Sequence, residues 1–222
     1  FSRIIPPKLT PISKLFFKNF ETPEIDIVIS CGRKSVIPSI YLKKNSKKKI
    51  FSIHIQDPKV DLKNFDFVVA PEHDGLKGEN VINSKGAIHY LTTEQIKENH
   101  NYLRGKLDGS KDYLVLILGG PNKYYSYQEN YLINIFENIL EKLKNYDLQG
   151  IIIPSMRTPK STIDLANRYF DKFNLVINEI DKKAYLSGLS LAKYIVVTCD
   201  STSMISEAAL TGKPIYIADI PP

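Results

Sequence analysis

The chain has 222 residues, of which 43% are hydrophobic, and it carries a formal net charge of +6. This length suffices to bury one large core or two small ones. No apolar run approaches the roughly 18 residues that a membrane span requires, so the composition predicts a soluble globular protein.

Cysteine usage and the basic residues bear on compartment and partners. Cys31 and Cys199 each follow a strand-like run and form no spaced set, which argues against a disulfide scaffold or zinc site and favours the cytoplasm. The densest basic run, residues 43–49, is interpreted as a solvated loop, with an anionic membrane surface as the alternative, so a peripheral membrane position stays open. No aromatic residues interleave with its lysines, and nucleic acid is therefore not an expected partner.

Short apolar runs bounded by Gly, Pro, Asp or Asn recur along the chain and predict buried parallel strands. In chain order they are 26–30, 50–55, 66–70, 114–118, 150–153, 194–198 and 214–218. Helical patterns lie between several of them, at 128–144, 160–172, 183–191 and 202–211. The alternation predicts an α/β fold with crossover connections.

The pattern restarts halfway along the chain. DIVISCG at 26–32 is similar to DYLVLILGG at 112–120, and FDFVVAPEHD at 65–74 is similar to KYIVVTCDS at 193–201. We interpret this as two facing Rossmann-like domains, residues 1–104 and 105–222, with a polar, glycine-containing break near 101–111. One long α/β sheet is the alternative.

Polar residues collect where the strands of the second half end. In open α/β sheets, ligands bind at this edge, where helix N-termini present free N–H groups. Gly119 and Gly120 would let the backbone approach a ligand closely, although a tight turn explains them equally well. Arg157 follows the next strand and is a candidate for binding an anion or stacking on a base.

The richest polar cluster surrounds the start of the 202–211 helix. Asp200, Ser201, Thr202 and Ser203 are four polar residues where one N-cap needs a single side chain. We expect the surplus to bind phosphate oxygens. Glu207, four residues after Ser203, would then lie within reach of ribose hydroxyls, and a helix acid favoured by the dipole is the alternative.

The first half offers one candidate for acid–base chemistry. His73 can titrate near neutrality, and Asp74 next to it could orient the ring, although most such neighbours are structural. His54, His89 and His100 complete the histidines, but their spacing does not match a metal site, and none is expected.

Several motifs occur together in a characteristic order and spacing: ISCGR at 29–33, QDP at 56–58, FDFVVAPEHDGLKGENVI at 65–82, GAIHYLT at 86–92, LGG at 118–120, SMRTP at 155–159 and VTCDSTSMISEAALTGKPIYI at 197–217. In these motifs the chain resembles the mitochondrial fission protein family of plants and its bacterial homologues. Family chains have an additional N-terminal strand and continue past the last strand seen here, so we expect both domains to be incomplete. The first residues, FSRIIPPKL, contain no Met or signal pattern, which also indicates a piece of a longer chain.

The resemblance implies a glycosyltransferase-like fold of the two-Rossmann GT-B type. It places a nucleotide-sugar donor on the C-terminal domain: Gly119 and Gly120 near the phosphates, Arg157 near the nucleotide, Ser201, Thr202 and Ser203 at the helix start, and Glu207 on the ribose. The family motif SRRTP has a second arginine where this chain has Met156, which puts a doubled cationic clamp in doubt.

The hypothesis is therefore metal-independent sugar transfer from a nucleotide-sugar substrate to an unknown acceptor, without a cofactor, with His73 or Asp74 as the base. A nucleotide-sugar epimerase of the same fold is one alternative. A non-catalytic interaction protein related to the fission factors, acting through a protein partner, is the other, because a fold does not decide a reaction.

Overall fold

The computed structural model describes residues 24–221. Its strands are β1 (Ile27–Cys31), β2 (Phe51–Ile55), β3 (Phe67–Pro71), β4 (Val81–Ser84), β5 (Asp112–Leu118), β6 (Leu148–Pro154), β7 (Leu175–Val176), β8 (Tyr194–Thr198) and β9 (Ile215–Ala218). Its α-helices are α1 (Val36–Asn45), α2 (Thr93–Glu98), α3 (Glu129–Asn145), α4 (Lys160–Tyr169), α5 (Lys182–Leu191) and α6 (Thr202–Ala209). Short 3₁₀ turns occur in several of the connections.

The second half of the chain forms a five-stranded parallel sheet in the order β7-β6-β5-β8-β9. Its central strand β5 pairs with β6 and β8, so that Leu116 lies beside both Ile152 and Val196. One face packs against α2, α5 and α6, and the other against α3 and α4. Burial on both faces is the reason why these strands are continuous apolar runs rather than alternating ones.

The first half forms a separate four-stranded parallel sheet in the order β1-β2-β3-β4. Helix α1 contributes Val36, Ile37 and Ile40 to a core that includes Phe65 and Val68. Together the two sheets confirm the predicted α/β class with two Rossmann-like units.

The two compact units divide between Ile88 and His89. The predicted boundary after residue 104 falls later, inside the second unit. The reason is that α2 and Leu103 join the core of the second sheet, and the Leu103 N–H donates to Ser187 Oγ on α5 at 3.0 Å.

The seven predicted strands are present, each within two residues of its predicted bounds. Strands β4 and β7 were missed because the first mixes apolar and polar residues and the second has only two residues. Helix α1 was missed because its sequence, VIPSIYLKKN, contains a proline and lacks a clear amphipathic period. Within residues 24–221, no helix is long and apolar enough to cross a membrane.

Candidate functional site

The carboxyl edge of the second sheet carries the chemistry. Strands β5, β6 and β8 are parallel neighbours, so the loops that follow Leu118, Pro154 and Thr198 emerge at the same edge. The backbone N–H of Ser155 donates to the Leu118 carbonyl at 2.9 Å, which joins the first two loops directly.

A buried carboxylate connects all three loops. The Asp200 side chain has no exposed surface (0%) and pairs with Arg157, whose Nη2 lies 2.7 Å from Asp200 Oδ2. The carboxylate also accepts hydrogen bonds from the Gly120 N–H at 3.1 Å, the Thr198 hydroxyl at 2.7 Å and the Tyr127 hydroxyl. Its charge is therefore paired and hydrogen-bonded, which is the condition for burying a charge without a large penalty.

This arrangement corrects the interpretation of Asp200 as part of the polar surplus at the helix start. The carboxylate faces the protein interior and its acceptors are used by the network. Burial and the hydrogen bond to Asp200 raise the pKa of Tyr127, so this phenol remains a donor at neutral pH.

The paired glycines, Gly119 and Gly120, leave space for the hydrogen-bond network around Asp200. A Cβ on Gly119 would lie 2.2 Å from Asp200 Oδ1, and one on Gly120 would lie 1.9 Å from the Arg157 carbonyl oxygen. The Gly119 N–H donates to Thr198 Oγ1 at 2.8 Å. The backbone at both glycines is thus closely approached by groups of the protein itself, and a phosphate contact by these glycines stays a prediction.

Arg157 is held from two sides. Its Nη1 donates to the Gly120 carbonyl at 3.0 Å, in addition to the ion pair with Asp200. The Thr158 hydroxyl donates to the carbonyls of Leu118 at 2.8 Å and Gly119 at 2.6 Å, which fastens the Arg157 loop to the end of β5. The arginine side chain is still 41% exposed, so part of the guanidinium is available to a ligand.

Helix α6 begins as the polar cluster predicts. Ser201 is the N-cap, and its side chain accepts from the Met204 N–H at 3.5 Å. Thr202 and Ser203 are exposed, and within residues 24–221 their backbone N–H groups make no hydrogen bond. Two free donors at the positive end of a helix dipole form a favourable place for an anion.

A cleft of about 400 Å³ opens beside this helix start. It brings together three of the predicted residues, Arg157, Ser201 and Glu207, whereas Gly119, Gly120, Thr202 and Ser203 do not line it. The complete lining is Tyr90, Leu91, Ile117, Pro154, Ser155, Met156, Arg157, Ile180, Asp181, Lys182, Tyr185, Ser201, Met204 and Glu207.

Glu207 has one hydrogen-bond partner that the sequence did not reveal. The hydroxyl of Tyr185, on α5, donates to Glu207 Oε2 at 2.7 Å. Burial and the negative charge of Glu207 raise the pKa of Tyr185. The two residues are far apart in the chain and on different helices, so no spacing rule could have linked them.

Other cleft residues were also missed by sequence reasoning. Tyr90 is 72% exposed, and Lys182 Nζ lies 4.8 Å from the centre of its ring. The aromatic residue in the motif GAIHYLT was the available signal for Tyr90. Tyr127 does not line the cleft and gave no signal, because its contact with Asp200 arises only from the fold.

His73 and Asp74 belong to the first unit. They lie in a 3₁₀ turn, Glu72–Asp74, directly after β3. His73 Nε2 is 3.8 Å from Asp74 Oδ1, which is beyond hydrogen-bond distance, and both side chains are partly exposed. Their catalytic role stays a prediction.

Among solved structures, the fold is similar to UDP-GlcNAc 2-epimerases of the GT-B type. The enzyme of Methanocaldococcus jannaschii matches with a TM-score of 0.58 and 17% identity, covering 94% of this chain and 64% of that one. The Neisseria meningitidis enzyme, solved bound to UDP-GlcNAc, matches with a TM-score of 0.56 and 18% identity, covering 96% and 66%. At these identities the likeness establishes the fold.

Two curated proteins are similar in sequence. The Rickettsia prowazekii protein RP120 is 26% identical over 235 residues, covering 86% of this chain and 64% of its own length. The mitochondrial fission protein ELM1 of Arabidopsis thaliana is 24% identical over 217 residues, covering 86% and 51%. The chain thus spans about half to two thirds of these relatives. Since the model of the mitochondrial fission ELM1 family matches residues 2–222, the chain belongs to that family.

Proposed function

We propose that the second unit binds the nucleoside diphosphate part of a nucleotide sugar in the cleft beside α6. The observation that carries the proposal is a cleft that holds a cation, Arg157, and a carboxylate, Glu207, and that opens at Ser201, next to the free N–H groups of Thr202 and Ser203. These are complementary to a diphosphate and to ribose hydroxyls, respectively.

The cleft residues suggest a direction for the ligand. The diphosphate would accept hydrogen bonds from the Thr202 and Ser203 N–H groups and from the exposed part of Arg157. Glu207 lies more than one turn further along α6 and would accept from the ribose. The Neisseria meningitidis neighbour was solved bound to UDP-GlcNAc, which is a ligand of this class, although that enzyme shares only the fold with this chain.

The reaction that fits this arrangement is sugar transfer without a bound metal. An acceptor hydroxyl would attack the anomeric carbon while the bond from that carbon to the diphosphate oxygen breaks. Arg157 and the helix start would stabilise the departing negative charge. The acceptor hydroxyl would lose its proton to a base, and a catalytic role of His73 or Asp74 stays a prediction from their residue types.

Two other functions have support of their own. Epimerisation of the sugar is favoured by the structural neighbours, which are UDP-GlcNAc 2-epimerases. A non-catalytic role is favoured by the Arabidopsis relative, which is named as a fission protein and not as an enzyme. Both keep the same fold, so binding and turnover have to be measured separately.

The test is calorimetry of the purified protein with a panel of nucleoside diphosphates and their sugars. We expect binding of at least one, and we expect Glu207→Ala to weaken it about 10- to 100-fold, since a hydrogen bond to a charged group contributes about 1.5–3 kcal/mol. Inorganic pyrophosphate should bind equally well to both proteins, because it has no ribose.

Glu137→Ala is the matched control, since Glu137 is an exposed glutamate on α3 that does not line the cleft. It should leave every affinity unchanged. Failure of all the panel members to bind the unmodified protein would overturn the proposed function.

A further inference from the structure

The contact between Tyr185 and Glu207 carries a consequence for ligand selection. Tyr185 lies on α5 and Glu207 on α6, and the hydroxyl of the first donates to Oε2 of the second at 2.7 Å. Both residues line the cleft. The Tyr185 side chain is partly buried against the apolar core of the second unit, so its hydroxyl is held at a defined position.

A single bond of this kind orients the carboxylate. A free glutamate side chain samples several rotamers, and fixing it in one of them costs conformational entropy. With Oε2 bonded to Tyr185, that cost is met during folding and not during ligand binding. Within residues 24–221, the hydrogen bond to Glu207 is made through Oε2, so Oε1 is available to a ligand in the cleft.

A purely apolar packing role does not require the hydroxyl. Phenylalanine would fill the same space against α6 without it. Because the pKa of Tyr185 is raised, the phenol stays protonated and donates to Glu207 across the neutral range. Tyrosine at this position therefore defines which carboxylate oxygen remains open.

We propose that Tyr185 is a positioning residue that holds Glu207 for ribose, so that the cleft selects ribonucleoside diphosphates over their deoxy counterparts. This inference rests on the proposed function. A carboxylate fixed in one orientation accepts well only from a hydroxyl at a matching position, and loss of that hydroxyl leaves an acceptor desolvated and unpaired. Discrimination of this type is larger than a pocket obtains from shape alone.

The experiment measures binding of UDP, 2′-deoxy-UDP, 3′-deoxy-UDP and pyrophosphate to the unmodified protein, Tyr185→Phe and Glu207→Ala. In the unmodified protein we expect UDP to bind at least about tenfold more tightly than one of the deoxy compounds. In Tyr185→Phe that ratio should fall at least threefold towards the ratio of Glu207→Ala. Pyrophosphate affinity should change less than twofold.

Tyr113→Phe is the matched control, since it removes a phenol of the same unit that donates to the Asp108 carbonyl and does not line the cleft. It should keep the full UDP preference. The double variant of Tyr185→Phe and Glu207→Ala should bind UDP no worse than Glu207→Ala alone, since the tyrosine acts through the glutamate.

The outcomes separate the two proposals. If UDP binds and its preference over both deoxy compounds is unchanged in Tyr185→Phe, the positioning role is wrong while the proposed function stands. An equal loss of UDP and pyrophosphate affinity would also overturn it, because that indicates general damage to the cleft. If neither UDP nor any other nucleoside diphosphate binds the unmodified protein, both proposals fail.

Discussion

Each unit contains a titratable group whose side chain has no exposed surface, Asp200 in the second and His54 in the first, and the two have opposite surroundings. Asp200 of the second unit has no exposed side-chain surface and is bonded to an arginine, a backbone amide and two hydroxyls. His54 of the first unit is also fully buried (0%), but only its Nδ1 has a partner, Ser30 Oγ at 2.8 Å, and its Nε2 has none within the described residues.

The difference shows that the hydrogen-bond and charge partners of a buried group determine whether its charged or its neutral form is tolerated. A paired and bonded carboxylate can stay charged, and it joins three loops at the edge where we place the ligand. A histidine without a second hydrogen-bond partner is tolerated as the neutral ring, which packs at a tilt of 33° against Phe65 with the ring centres 4.9 Å apart. Loss of the contacts between Asp200 and its partners should therefore destabilise the second unit, whereas protonation of His54 should destabilise the first.

The largest effect is expected from Asp200→Asn. The amide has the same shape, but it lacks the negative charge that pairs with Arg157, and its NH₂ group needs acceptors where every partner of the carboxylate is a donor. We expect the free energy of unfolding to fall by about 3 kcal/mol, the lower end of the cost of breaking a buried ion pair, because Arg157 is 41% exposed. Urea unfolding measures the loss, and hydrogen exchange should locate it after residue 88.

Asp164→Asn supplies the matched comparison, because Asp164 is an exposed residue on α4. Its stability should change by no more than about 0.5 kcal/mol. Equal stability of the two variants would show that the buried network does not stabilise the second unit.

A smaller loss of stability is expected when a methyl group is added beside the Asp200 network and all of its hydrogen-bonding groups are kept. In Gly120→Ala the new Cβ would meet the Arg157 carbonyl oxygen at 1.9 Å, which is a backbone atom and must move. We expect a cost of about 1–3 kcal/mol, the usual range for overpacking. Thermal unfolding of this variant and of Gly109→Ala, where a Cβ meets nothing within 4 Å, provides the measurement. A midpoint as high in the first as in the second would contradict the packing assignment.

The smallest effect concerns pH and the first unit. Burial lowers the pKa of His54 from its ordinary value of 6.5, and the Asp57 carboxylate partly opposes this. Below pH 6.5, the unfolded chain therefore binds a proton on His54 that the folded chain does not bind. The stability contribution is complete above pH 6.5 and is lost as the pH falls, by at most about 1.4 kcal/mol per pH unit.

Urea unfolding at pH 7.5 and 5.5 checks this, with His54→Leu as the variant that lacks the titrating ring. The unmodified protein should lose more stability between the two values than the variant does. His73→Ala, which removes a partly exposed histidine of the same unit, is the control for the loss of a histidine side chain. An equal loss of stability between the two pH values in all three proteins would show that His54 is not the source of the pH dependence.

Local sequence was sufficient for most of the elements of both units. Buried parallel strands such as β5 and β6 are continuous apolar runs, and α6 carries a serine N-cap and ends before Gly212, so each was recognisable from neighbouring residues. Strand β7 was not, because two residues carry no period and the strand exists only through pairing with β6. The unit boundary was likewise decided by where α2 and Leu103 pack.

The residue types at the carboxyl edge of the second sheet, including Arg157, Ser201 and Glu207, could be inferred from the chain order, because parallel strands bring the ends of β6 and β8 to the same edge. Their hydrogen-bond partners could not, because these depend on the tertiary structure. The tertiary structure buries the Asp200 side chain, brings Gly119 and Gly120 into close contact with Asp200 and Arg157, and places the Tyr185 hydroxyl against Glu207. Contacts between side chains on different elements depend on packing distances, and these are absent from the order of residues along the chain.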